Sequence, residues 1–176
     1  GRDVYPRFSP DGKWVAFSSE RNGNLDVFVV SARGGVPRQL TFHSADDNVL
    51  GWTPDGRHVL FSSVRGEDFL AKLYTVAVDG AAERPAGPDY GLAGSYSPDG
   101  TRLAFNRKGQ VYWRKYYRGS YNTDVTVMDL KTRKFTDLTD FDGLDSWPMW
   151  GRDGFVYFVS DRDGNGLTNF WRVSEK

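Results

Sequence analysis

The chain has 176 residues, and its 23 Lys and Arg balance 23 Asp and Glu, so bulk electrostatic attraction to nucleic acid or to an acidic membrane surface is excluded as its organising principle. An aromatic share of 15% supplies a packed core and excludes disorder, while the absence of Cys excludes disulfides, thiolate metal sites and cysteine nucleophiles. With only His43 and His58 for imidazole ligands, no metal or cofactor site is expected; apolar runs such as 27–30 fall far short of the ~20 residues of a membrane helix, so a soluble chain of open compartment is expected.

The first inner strand is expected over 4–8, ending on Phe8 before Ser9-Pro10-Asp11-Gly12. Proline pre-sets φ, Ser and Asp bond nearby backbone groups, and Gly accepts positive φ, so the tetrapeptide is read as a turn between strands and not as a site. A β-rich run follows at 14–19, then a loop with Arg21, a third strand over 26–30 and an outer strand over 38–42. The same order returns from an inner strand at 48–52: Trp52, the turn Thr53-Pro54-Asp55-Gly56, a strand over 58–63, Arg65 and a third strand over 73–78. Pro85, Gly87 and Pro88 weaken the outer strand of this unit.

The third unit runs from 92–96 through Tyr96, Ser97-Pro98-Asp99-Gly100, 102–106, Arg107, 124–130 and an outer strand over 134–141. The fourth runs from 146–150 through Trp150, a degraded Gly151-Arg152-Asp153-Gly154, 156–160, Arg162 and 169–173. From Gly12 to Gly56 is 44 residues, from Gly56 to Gly100 is 44, and from Gly100 to Gly154 is 54. Four short strands per period in the mid-forties indicate propeller blades, each a sheet that buries its faces on its neighbours. The expected fold is therefore an all-β propeller of four-stranded antiparallel blades, with units near 1–44, 45–88, 89–142 and 143–176 forming one domain or segment. Fifteen strands are expected, and because the chain opens on an inner strand and stops after a third strand, an incomplete or oligomer-completed propeller is expected, associating through the unpaired strand.

The ten extra residues of the third unit lie in one loop: Phe17 to Asp26 spans 9 positions and Phe105 to Asp124 spans 19. Between 107 and 123 this loop holds Arg107, Lys108, Arg114, Lys115 and Arg118 with Tyr112, Trp113, Tyr116, Tyr117 and Tyr121, and no acid. Arg and aromatic side chains dominate binding hot spots, so Trp113, Arg114, Lys115, Tyr116, Tyr117, Arg118 and Tyr121, with His43, are candidate peptide-binding residues. The competing reading is a longer hairpin whose aromatics pack on the next blade. Such a loop is expected to share a cationic face with Arg21, Arg65 and Arg162 and to take carboxylates of unfolded peptides; single-stranded nucleic acid is the less favoured ligand.

His43-Ser44 with Asp46 and Asp47 is the only cluster resembling a nucleophile with its base, but neighbours on one loop rarely meet that geometry, and a connecting loop is preferred. Asp161 to Gly166 imitates a calcium loop, yet Arg172 stands where the bidentate Glu belongs, so a hairpin loop is expected. No catalytic residue is assigned.

The stretches at 5–19, 38–47 and 49–56 resemble the PD40 repeat, also called TolB-like or WD40-like, and their order resembles the N-terminal propeller of tricorn-type proteases, the PDZ-containing S41 serine peptidases. The resemblance runs the whole length. It implies a non-catalytic part of a serine protease that gates or docks unfolded peptide, or helps assembly, since the family's serine, histidine and PDZ module have no counterpart here. The alternatives are a free-standing TolB-like protein-binding module and a small enzyme using His43.

Overall fold

In the computed structural model of the chain, residues 1–67, 69–107, 119, 121–164 and 167–175 are described. All fifteen expected strands form, and the described residues contain no helix. They make four antiparallel sheets. Blade 1 is β1 (Asp3–Phe8), β2 (Trp14–Ser19), β3 (Asp26–Ser31) and β4 (Arg38–Gln39); blade 2 is β5 (Asp47–Trp52), β6 (His58–Ser63), β7 (Lys72–Ala77) and β8 (Arg84–Pro85). Blade 3 is β9 (Gly94–Tyr96), β10 (Arg102–Asn106), β11 (Val125–Asp129) and β12 (Phe135–Asp137), and blade 4 is β13 (Asp145–Trp150), β14 (Phe155–Ser160) and β15 (Asn169–Ser174). Two compact units result, Gly1–Asp89 with blades 1 and 2 and Tyr90–Lys176 with blades 3 and 4.

The tetrapeptide is a turn for the reasons its residues give. In blade 1 the Ser9 hydroxyl donates to Asp11 at 2.6 Å and accepts the Trp14 N–H at 3.0 Å, and Asp11 also accepts the Lys13 N–H at 3.0 Å. Thr53 with Asp55 and Ser97 with Asp99 repeat this at the same 2.6 Å, and Gly12, Gly56 and Gly100 lie at φ of 71°, 68° and 71°, where a side chain is strained. The fourth turn has lost the hydroxyl but keeps Asp153, which accepts the Phe155 N–H and the Tyr157 O–H. Ser9 and Ser97 hold the Asp11 and Asp99 carboxyls down to about 2, helped by the backbone N–H bonds.

Outer strands are shorter than the sequence suggested, because a side chain replaces the backbone ladder. Leu40 still donates to the Val27 carbonyl at 2.8 Å, but the Val27 N–H then goes to the Thr41 hydroxyl at 2.8 Å. Leu138 and Thr139 do the same to Val125 at 2.8 and 3.0 Å. The weak outer strand of blade 2 does form, as Arg84–Pro85, with Pro85 at the sheet edge.

Inside each unit one blade is tied to the next. Val27, Val29, Leu40, Val49, Trp52, Val59, Phe61 and Val76 share one core in the first unit, and Ala104, Val125, Val127, Val156 and Phe158 share another in the second. The Asp47 N–H donates to Leu25 and the Asp145 N–H to Thr123, both at 2.7 Å, which docks β5 on blade 1 and β13 on blade 3. Ser18 then donates to the Asp47 carbonyl and accepts the Val49 N–H, while Asn106 donates to the Asp124 and Asp145 carbonyls and accepts the Trp147 N–H.

Candidate functional site

Among the described loop cations, Arg21, Arg65 and Arg162 are paired within their own blades and do not stand as free positive charges. Each belongs to a repeated group: a carboxylate opening the inner strand, a serine closing the second strand, and aromatic rings on the second and third strands. Arg21 bonds Ser19 and Asp3 and lies 5.4 Å above Phe17 and 4.6 Å above Phe28. Arg65 bonds Ser63, Asp47 at 2.6 Å and Glu83, over Phe61 and Tyr74. Arg162 bonds Ser160 and Asp145 at 2.6 Å, among Phe141, Phe158 and Trp171. Their charge is neutralised within the blade, so these three residues hold the fold and do not attract an anion.

Asp47 and Asp145 are completely buried, and each places one oxygen on its arginine while the other has no hydrogen-bond partner. Burial, with Asp47 close by, pushes the Asp26 carboxyl above its usual range against the opposing bonds from Thr41 and Gln39. Burial likewise raises Asp124; Asp145, Asp137 and Asp140 add to the rise, and the Thr139 hydroxyl opposes it. Sequence reasoning passed over the strand-opening aspartates. Their signal was an Asp six residues before the turn tetrapeptide in units one, two and four.

His43 is half-buried, and its Nδ1 accepts the Ala45 N–H at 3.0 Å. Asn24 donates to the His43 and Ala45 carbonyls, Asp46 accepts the Leu25 N–H, and Asp47 is held by Arg65. No hydrogen bond joins the His43 ring to Ser44, Asp46 or Asp47, so the structure does not assemble a nucleophile with its base on this loop, and the preferred connecting role is the observed one. In the calcium-like loop Asp161 accepts the Leu144 N–H and Asp163 accepts from Asn169, with residues 165–166 outside the described part. Of the expected binding residues, Trp113, Arg114, Lys115, Tyr116, Tyr117 and Arg118 lie outside the described residues; Tyr121 is 59% exposed.

Blade 3 keeps the second-strand ring, as Phe105, and departs from the repeated group at its other positions. Gly91, six residues before the turn, stands at the place of the opening carboxylate, Arg107 replaces the serine, and Thr126 replaces the third-strand ring. Arg107 instead lies 5.4 Å above Phe135 of the outer strand, itself edge-on to Phe105. The space so freed is a cavity of about 380 Å³ lined by Tyr90, Arg107, Asn122, Asp124, Thr126 and Asp137.

Comparison with known proteins follows this architecture. The family model described as "Tricorn protease N-terminal beta propeller domain" matches residues 1–176. The chain is 34% identical over 168 residues to "Tricorn protease homolog 1" of Streptomyces coelicolor, covering 92% of this chain and 15% of the relative. It superposes on a protein assigned as TolB from Agrobacterium tumefaciens with a TM-score of 0.71 and 26% identity, over 87% of this chain and 52% of the other. It superposes on the tricorn protease with a TM-score of 0.62 and 17% identity, over 97% and 17% of the two chains, a likeness of fold. The chain thus spans a small part of the curated relative's length.

Proposed function

Because the chain belongs to the tricorn protease N-terminal β-propeller domain family, we propose that it serves a tricorn-like serine peptidase of the S41 type as a module that docks unfolded peptide for cleavage elsewhere. The whole-length family match carries this reading. The local use of His43, Asp46 and Asp47 supports a non-catalytic role, since none is left as a paired nucleophile and base. Peptide contact is assigned to the 107–121 insertion, of which Arg107, Gly119 and Tyr121 are described and Tyr121 is exposed. The test is binding of a fluorescent unfolded protein, such as denatured casein, to this chain. Saturable binding that weakens when Arg114, Tyr117 and Arg118 are replaced together by Ala supports the role; no binding of any unfolded protein overturns it.

The free-standing TolB-like module shares the docking step and differs in having no peptidase on the same polypeptide.

A further inference from the structure

The cavity of blade 3 is best understood against the same place in blade 1. There Gln39 donates to Asp26 at 2.9 Å and to the Thr41 carbonyl at 2.8 Å, and the Arg21 guanidinium covers the Phe28 ring. Thr126 stands in blade 3 where Phe28 stands in blade 1, and Asp137 stands where Gln39 does. An amide that donates has become a carboxylate that accepts. Asp137 receives the Thr126 hydroxyl at 2.7 Å, Asp124 receives the Thr139 hydroxyl at 3.2 Å, and Asn122, the amide on the rim, donates to Asp142. Among the described residues no ion pair reaches Asp124 or Asp137; Arg107 lines the same cavity but stacks on Phe135. Among the described lining residues two carboxylates stand against one guanidinium, one negative charge in excess, and Asp140 adds to the field at Asp124.

We propose that this cavity binds a basic side chain, a lysine ammonium or an arginine guanidinium, held between Asp124 and Asp137 with Tyr90 at its side. A cation with several N–H donors gives Asp124 the donor that Gln39 gives Asp26 in blade 1, and gives Asp137 a donor and a counter-charge as well. An acidic or neutral ligand supplies neither. The cation comes either from a docked peptide or from Lys108, Arg114, Lys115 or Arg118 of the chain's own insertion. The peptide source rests on the docking role proposed above and makes basic residues part of its preference.

The experiment compares an unfolded peptide carrying one lysine with the same peptide acetylated on that lysine, against the whole chain and against a chain with Lys108, Arg114, Lys115 and Arg118 all replaced by Gln. If a peptide supplies the cation, acetylation weakens binding about tenfold or more in both backgrounds. If the insertion supplies it, the acetylation effect is absent from the natural chain and emerges in the Gln background. In either case Asp124→Asn with Asp137→Asn, which retain acceptors for both threonine hydroxyls, abolish the effect. Binding that ignores acetylation in both backgrounds overturns the proposal while leaving peptide docking intact. Should no peptide bind at all, n-butylammonium separates the two ideas: a shift of the Asp124 carboxyl carbon in the natural chain or the Gln background, lost in Asp137→Asn, supports the cavity, and no shift in either overturns it.

Discussion

Arg65 donates to Asp47 across 2.6 Å, and the aspartate it reaches has no exposed surface at all. Removing the cation alone leaves a buried carboxylate unpaired, so Arg65→Met is expected to cost about 3–5 kcal/mol, whereas Arg65→Met with Asp47→Leu recovers much of that loss. Arg21→Met is the control, because its partner Asp3 is 59% exposed and such a pair contributes about 0–1 kcal/mol. Urea unfolding of the natural chain and these variants checks the order.

Asn106 does in the second unit what Ser18 does in the first, with one more bond. Ser18→Ala leaves the Val49 N–H and the Asp47 carbonyl short of a partner and is expected to cost about 1–3 kcal/mol; Asn106→Ala, which strips three backbone groups, is expected to cost about 3 kcal/mol or more. Equal losses in denaturant unfolding would show that the two bridges are not weighted by their bonds.

Acid and neutral pH act on different aspartates with opposite sign. Asp11 and Asp99 are held down to about 2, so the stability they contribute is present above the unfolded Asp value of about 4 and is lost as pH falls toward 2. Asp26 is raised, so its contribution is present below that unfolded value and is lost as pH rises through its folded value. Asp11→Asn is therefore expected to flatten the acid limb of a stability profile, and Asp26→Asn to flatten the limb above a pH of about 4. Unfolding midpoints taken from acid to neutral pH read both.

The blades were legible because their signals are local: a turn tetrapeptide fixes each hairpin, and alternation fixes which side chains point inward. The ion pairs were not, since Asp3 and Arg21, or Asp47 and Arg65, lie 18 residues apart and meet only once strand register is known. For the same reason Arg21, Arg65 and Arg162 read as a free cationic face. The cavity of blade 3 was hidden more deeply, because it arises from what Thr126 and Asp137 replace, and that comparison requires the pairing of Phe28 with Gln39. His43 could be placed on a connecting loop from sequence, but the use of its Nδ1 by Ala45 depends on the loop's path.

The threonine that finishes the outer strand has a kinetic consequence. The amide hydrogens of Val27 and Val125 are held by a hydroxyl on a single rotatable bond, so each loses its partner when Thr41 or Thr139 changes rotamer, with no backbone hydrogen bond broken. Their exchange with deuterium should then be faster than that of the neighbouring β3 and β11 amides bonded to backbone, and Thr41→Val should accelerate Val27 alone. The rim of each such blade thus gives up a hydrogen bond at the cost of one side-chain rotation, while the sheet behind it stays paired.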